Sequence, residues 1–204
     1  MTYLSRLMEP PILANVETID RGKRRFLGRI ATTVGAVALM AATEGCSVST
    51  SGNVTTITLD VTKIKNYGQA GLNAAATVTL YLSSFPTLAP YMTAITAAET
   101  ALSGSLSAFS DAAGSTLTIN YDNADWKTRV DSILSDLSTV ASAIGAAISG
   151  AGTALSATVQ TDASVALESL DTLISVFKAL LGLASGAKAS GGMTEAQALA
   201  NLGV

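Results

Sequence analysis

The sequence feature that most constrains the fold is a stripe of large apolar residues that begins at residue 126 and repeats in steps of four and three. Steps of this size place side chains on one face of an α-helix. The repeat continues through three heptads, so it predicts a helix with an apolar seam. Such a seam serves packing against helices of the same chain or of a partner chain. Its members are Trp126, Val130, Ile133, Leu137, Val140 and Ile144.

Three further segments carry helical spacing, at residues 64–81, 91–109 and 163–181. Four amphipathic helices with short connections predict a small up-down helical bundle. A capping-box spacing from Thr194 to Gln197 predicts an additional short helix at the C-terminus.

Two segments alternate apolar residues with Thr, Asp or Asn, at residues 57–61 and 117–121. Alternation with period two predicts half-buried strands. The helical hairpin between them returns the chain to its starting point, so the two strands are expected to pair. The predicted fold class is therefore mainly α: an up-down bundle of about four helices with a minor two-stranded β element, preceded by a signal-like N-terminal segment.

The chain divides by composition into four parts. Residues 1–46 form a leader, and residues 47–55 a Ser/Thr/Gly-rich linker. Residues 56–184 form the helical domain with its strand pair. Residues 185–204 form a second linker, which is rich in Gly and Ser, and the short C-terminal helix.

The leader has the layout of a signal peptide. A basic cluster at residues 21–29 precedes an uncharged apolar run at residues 30–42. That run gives about 20 Å of helix, which is short of the roughly 20 residues that span a bilayer. A positive region followed by a short apolar region is typical of an export signal. The alternative is a buried amphipathic helix of a cytosolic protein.

Residues 22–28, Gly-Lys-Arg-Arg-Phe-Leu-Gly, resemble a twin-arginine export signal. Lys23 and Arg24 stand at the arginine pair, Arg25 at the variable position, and Phe26 and Leu27 at the apolar pair. Lysine thus replaces the first arginine, and both glycines depart from the pattern. The resemblance implies export to the periplasm or the cell exterior. It covers about 25 residues and concerns transport, not activity.

Cys46 is a candidate lipid-attachment site, because the apolar run ends just upstream of it and Gly45 precedes it. Thr43 and Glu44 fit a bacterial lipobox poorly. The alternative is an unmodified cysteine near a cleavage site.

Composition excludes several classes of chemistry. The chain has no histidine and one cysteine, so His-dependent triads and Cys/His zinc sites are excluded. Two Ser-x-x-Lys spacings, at residues 175–178 and 185–188, resemble a motif of penicillin-binding enzymes but lack its companion motifs. The Asp and Asn side-chain oxygens at residues 122–125 are expected to cap the following helix. The alternative is that they form a cation site. We therefore expect a non-enzyme with no cofactor, no metal and no identified small-molecule substrate.

Charge is distributed unevenly along the chain. After Cys46 there are six basic residues and eleven acidic residues, which disfavours nucleic-acid binding. Residues 66–98 and 137–161 carry no charge. The second stretch is long enough to span a bilayer and is rich in small residues. A helix-turn-helix that breaks near Gly150 and Gly152 explains it equally, and that interpretation is favoured because Ser, Thr and Gly outnumber Leu and Ile.

Two functional hypotheses follow. The leading one is an exported, non-catalytic structural or interaction module that associates with itself, or with another protein, through helix packing. The alternative is a membrane-active protein, like pore formers and phage lysis proteins, that inserts an uncharged helical hairpin. Under both hypotheses the protein could contact a membrane or be anchored to one.

Overall fold

A computed structural model describes residues 46–51, 54–183 and 193–204. Five α-helices lie within these residues. Their bounds are α1 Val61–Leu82, α2 Ala89–Ala113, α3 Ala124–Ala151, α4 Ala157–Leu180 and α5 Glu195–Asn201. The leader, with its apolar run and basic cluster, lies outside the described residues.

The four long helices pack up-down around one core. α1 packs against α2, α2 against α3, α3 against α4, and α4 against α1, while α1 also meets α3. Short connections favour this arrangement, because they make consecutive helices antiparallel neighbours. The turn after α1 contains Pro86, which opens a short 3₁₀ segment and cannot continue α1. α3 ends at Ala151 and is followed by Gly152, whose φ of 50° suits glycine better than other residues.

Three strands form one antiparallel sheet in the order β1 (Cys46–Ser51), β2 (Val54–Asp60) and β3 (Thr118–Asn120). The sheet lies at the end of the bundle where α1 and α3 begin. Leu59 lies opposite Ile119, and both side chains are buried. Asp60 ends β2 and also caps α1, where its carboxylate accepts the backbone N–H of Lys63 at 2.9 Å. Asp60 is thus both the last residue of β2 and the N-cap of α1.

The core consists largely of the apolar seams that the sequence predicts. Val130, Ile133, Leu137, Val140 and Ile144 of α3 are all fully buried. They meet the inward residues of the other helices, such as Tyr67, Phe109 and Phe177. Burying Val, Leu, Ile or Phe contributes about 1.5–3 kcal/mol for each side chain, so this seam is a principal source of stability.

The structure confirms a mainly helical, up-down fold with a small antiparallel sheet, and it corrects two details. Residues 47–55 are not simply a linker, because β1 occupies most of them and pairs with β2 from Cys46 to Ser51. The predicted strand pair, β2 and β3, therefore gains a third strand. The Ser/Thr-rich composition that suggests a linker also suits a strand, since Thr and Val favour extended backbone.

Candidate functional site

The predicted helix seam lies inside the bundle. Its five aliphatic residues pack against the chain's own helices. Trp126 is half-buried, and its ring meets the Phe109 ring edge-on at 5.8 Å and 70°. The same surface is therefore not open to a partner chain while the bundle is folded. Any surface for self-association would have to lie elsewhere.

The outer face of α2 carries a second seam, made of small residues. Its members repeat in steps of three, four, three and four, the spacing of coiled-coil core positions. All five are exposed, and a Cβ built on the glycine meets nothing within 4 Å. We call this set the small-residue stripe: Ala94, Ala97, Ala101, Gly104 and Ala108.

Hydroxyl residues flank the stripe, and two of them already have partners in α2. Thr93 donates to the carbonyl of Ala89 at 3.1 Å, and Thr100 donates to the carbonyl of Thr96 at 2.8 Å. A polar group costs free energy when it loses water without a replacement hydrogen bond. These two hydroxyls would therefore keep their hydrogen bonds if another helix covered this face.

A shallow polar groove of about 360 Å³ separates the C-terminal half of α2 from the start of α3. Arg129 reaches across it and donates to the carbonyl of Ala108 at 3.1 Å. Ser105 donates to the carboxylate of Asp136 on the other side. These contacts fix α2 against α3 and hold the stripe in a defined orientation. The groove is lined by Ser105, Ala108, Asp125, Thr128, Arg129 and Ser132.

A closed polar triangle lies at the sheet end. The Tyr121 hydroxyl donates to Asp131 at 2.6 Å, and the Lys127 ammonium lies 2.8 Å from both Tyr121 and Asp131. Burial and the hydrogen bond to Asp131 raise the pKa of Tyr121, while the hydrogen bond to Asp131 raises that of Lys127. A tyrosine that acts as a general base needs a lowered pKa, so the triangle suits anchoring of β3 to α3.

The other chemical candidates of the sequence have structural roles. Asn123 caps α3 by accepting the N–H groups of Asp125 and Trp126, and Asp122 accepts the N–H of Ile57 at 3.2 Å. Ser175 donates to the carbonyl of Asp171 within α4. Among the described residues, no group of three His, Cys, Asp or Glu side chains is placed to hold a metal ion. The second Ser-x-x-Lys spacing ends at Lys188, outside those residues.

The export residues Lys23, Arg24, Arg25, Phe26 and Leu27 also lie outside the described residues, and Cys46 begins β1. The uncharged segment 137–161 is not one helix, because α3 ends at Ala151 and α4 begins at Ala157. Of the helices that the structure describes, α3 alone is long and apolar enough to cross a membrane by length and composition.

The fold brings the two uncharged segments of the sequence together. Residues 66–98 include most of α1 and the start of α2, and residues 137–161 include the end of α3 and the start of α4. Up-down packing places both at the end of the bundle away from the sheet. Glu99 and Asp162 are the next charged residues along the chain. We call this part of the bundle the uncharged half.

Comparison with known proteins adds no relative: no family model, no curated protein and no solved structure matches the chain. The small-residue stripe is not among the features predicted from the sequence. The signal was present, since the stripe has heptad spacing, but alanine is common in this chain and its spacing does not distinguish an inner face from an outer one. Ile95, Leu102 and Phe109 decide which face of α2 turns inward.

Proposed function

We propose that this chain is a non-catalytic structural or interaction module that associates with itself through the small-residue stripe on α2. The observation that carries the proposal is an exposed stripe with coiled-coil spacing on a helix whose larger residues are already buried. Small residues let two helix backbones approach closely. The partner surface is a second copy of α2, because a stripe with this spacing is complementary to itself.

A twofold axis at Ala101 satisfies the spacing. In an antiparallel pair of α2 helices, Ala94 would lie beside Ala108 of the other copy, and Ala97 beside Gly104. Ala101 would face its own counterpart, as a residue on the axis of an isologous dimer does. The contact is small, so we expect weak association of the transient class, below about 1,200 Å² of buried surface.

Two substitutions test the proposal in the full chain. Ala101→Arg should abolish the concentration-dependent increase in mass seen by sedimentation equilibrium, because a long charged side chain keeps the backbones apart. Ala101→Cys, in a Cys46→Ser background, should form a disulfide-linked dimer under mild oxidation. Ala146, exposed on α3, supplies the matched controls Ala146→Arg and Ala146→Cys, which should leave association unchanged and give no specific dimer. A monomeric parent chain would overturn the proposal.

We also propose that the module is exported, on the strength of the leader sequence. Fractionation of cells that make the full chain, with intact mass of the product, tests this directly. A shortened product in the periplasm or medium supports a cleaved signal peptide, and an added lipid mass supports attachment at Cys46. Replacement of Lys23 and Arg24 by Gln should then retain the chain in the cytoplasm. A full-length cytoplasmic product from the natural sequence contradicts export.

The uncharged half supports a second candidate, a membrane-active protein. Helix α3, with 28 residues and about 42 Å of length, is long and apolar enough by length and composition to cross the roughly 30 Å of a bilayer core. Dye release from lipid vesicles by the full chain tests the candidate. Ala146→Glu adds a charge at an exposed site of α3, so it should stop release without unfolding the bundle. Ala147→Glu is unsuitable, because Ala147 is fully buried. Vesicles that stay intact with the natural sequence exclude the candidate.

A further inference from the structure

The C-terminal helix α5 bridges the two helical hairpins. α1 belongs to the first hairpin and α4 to the second, and α5 packs against both. Its inward residues Ala198 and Leu202 are buried. On the opposite side of the bundle, α2 and α3 pack against each other directly. α1 and α4 also pack directly against each other, and α5 covers this interface from outside.

The start of α5 is held by α1. The Glu195 carboxylate lies 3.0 Å from the Lys63 ammonium and accepts the Tyr67 hydroxyl at 2.8 Å. Lys63 and Glu195 are 15% and 27% exposed, so water screens this pair less than it screens a surface pair. The contact is charge-assisted, which makes it stronger than a neutral hydrogen bond.

The end of α5 is held by both α1 and α4. Asn201 donates to the Ser169 hydroxyl of α4 at 3.2 Å, and Asn73 of α1 donates to the carbonyl of Leu202 at 2.7 Å. Ser169 is fully buried, and its hydroxyl donates to the Met193 sulfur at 3.4 Å. Ser169 therefore lies beneath α5 and Met193, which stands two residues before the first residue of α5, and its side-chain hydrogen bonds are made to them.

Two properties make α5 separable from the rest of the bundle. It is a seven-residue helix with its own capping box at Thr194, and a helix this short is not stable by itself in water. The sequence between α4 and α5, residues 181–194, is longer than the connections of 2–8 residues that are common in bundles. Docking against α1 and α4 is thus what keeps α5 folded.

We infer that α5 is a detachable strap. It closes the α1–α4 side of the bundle, and it leaves as one unit while α2 and α3 remain packed. Its departure exposes Ser169 and one face of Tyr67, whose ring packs against Phe177 of α4 at 5.2 Å and so joins the hairpins below the strap. The inference depends on neither candidate function, since it follows from the contacts of α5 alone.

Thiol labelling of the full chain tests the strap. In a Cys46→Ser background, Ser169→Cys places a nearly isosteric thiol beneath α5, and Val140→Cys places one in the buried seam of α3. If α5 detaches by itself, the first thiol should react with a maleimide at least about a hundredfold faster than the second, since local opening is far more frequent than global unfolding. Low denaturant concentrations should accelerate only the second. Equal rates with equal denaturant dependence would overturn the inference.

A charge-removing substitution gives a second test. Glu195→Gln weakens the contacts to Lys63 and Tyr67, so labelling at residue 169 should rise about tenfold, the effect of losing one charge-assisted hydrogen bond. Asp131→Asn removes the other described ion pair, with Lys127, and should leave that rate unchanged. Equal effects of the two substitutions would show that the labelling rate at residue 169 reflects only the global stability of the protein.

Amide hydrogen exchange of the natural sequence provides a measurement without substitutions. Residues 195–202 should exchange through local opening, while residues 130–144 of α3 exchange through global unfolding. Protection of α5 equal to that of α3 would contradict a detachable strap, even if the cysteine variants failed to fold.

Discussion

The two ends of the bundle are built from the same helices and are held together by different means. At the sheet end, side chains with charge or strong hydrogen-bonding groups fix the elements, as in the Tyr121–Lys127–Asp131 triangle and the caps at Asp60 and Asn123. In the uncharged half, the elements are instead held by the close approach of small residues to their neighbours. A methyl group on Gly150 would overlap the Tyr91 ring. Polar contacts specify a geometry by direction, whereas tight packing specifies it by excluded volume.

The largest effect is expected at the boundary between these regions. Leu137→Ala should cost about 2–5 kcal/mol of unfolding free energy, because it leaves a cavity in a fully buried seam. Chemical denaturation followed by circular dichroism measures the loss. Ser135→Ala, two residues away on the exposed side of the same helix, should change stability by less than about 0.5 kcal/mol. A small effect of Leu137→Ala would mean that the seam is not the main stabilising contact.

Leu137 also allows a double-mutant cycle with Gly71, which tests how the two residues pack. A Cβ on Gly71 would meet Leu137 and would approach the Cδ2 of Leu102 to 2.7 Å. Gly71→Ala should therefore cost about 1–3 kcal/mol through overpacking. Combined with Leu137→Ala it should cost less than the sum of the two, because the added methyl group fills part of the space vacated by the leucine. Additive effects would show that the two residues do not share a contact.

Two glycines, Gly104 on α2 and Gly150 on α3, separate the effect of helix propensity from that of tight packing. Gly104→Ala should stabilise the protein by up to about 1 kcal/mol, since alanine is the better helix former and the site is open. Gly150→Ala should instead destabilise it by about 1–3 kcal/mol, because the new methyl group displaces Tyr91. In a Tyr91→Ala background the penalty at Gly150 should disappear. Thermal unfolding midpoints of the four variants decide between helix propensity and steric exclusion.

At the sheet end, Asn123→Ala should cost about 0.5–2 kcal/mol by removing the cap of α3. Asn123→Asp keeps an acceptor at the same place and should restore most of the stability. Denaturation midpoints measure both. If the two variants were equally unstable, the amide group of Asn123 rather than its acceptor oxygen would be important.

The smallest effect concerns alkaline pH. The fold raises the pKa of Tyr121 above its ordinary value of 10.0, so it favours the neutral phenol. The resulting stability is complete below pH 10 and is lost as the pH rises through the shifted value. The natural sequence should therefore lose more stability between pH 8.5 and pH 11 than Tyr121→Phe. Equal losses in urea denaturation would show that ionisation of Tyr121 is not coupled to folding.

The sequence by itself determined the helices, their apolar seams and the β2–β3 pair. The heptad from Trp126 to Ile144 and the alternation at residues 57–61 are local patterns, and their periods directly reflect helix and strand geometry. The capping box at Thr194 is equally local, and the structure shows both of its hydrogen bonds. In the sequence, residues 137–161 could form one helix, whereas the structure divides them between α3, which ends at Ala151, and α4, which begins at Ala157.

Only the tertiary structure decided which surfaces remain outside. The Trp126 seam could serve a partner chain as well as the chain's own core, and burial against α1, α2 and α4 assigns it to the core. The stripe from Ala94 to Ala108 is exposed because larger residues on another face of α2 bury more apolar area and therefore turn inward. The contacts of Glu195 and Asn201 join residues far apart in sequence, at Tyr67 and Ser169. Helical periodicity is a local property, whereas the competition among faces for a shared core is settled only when all the helices pack together.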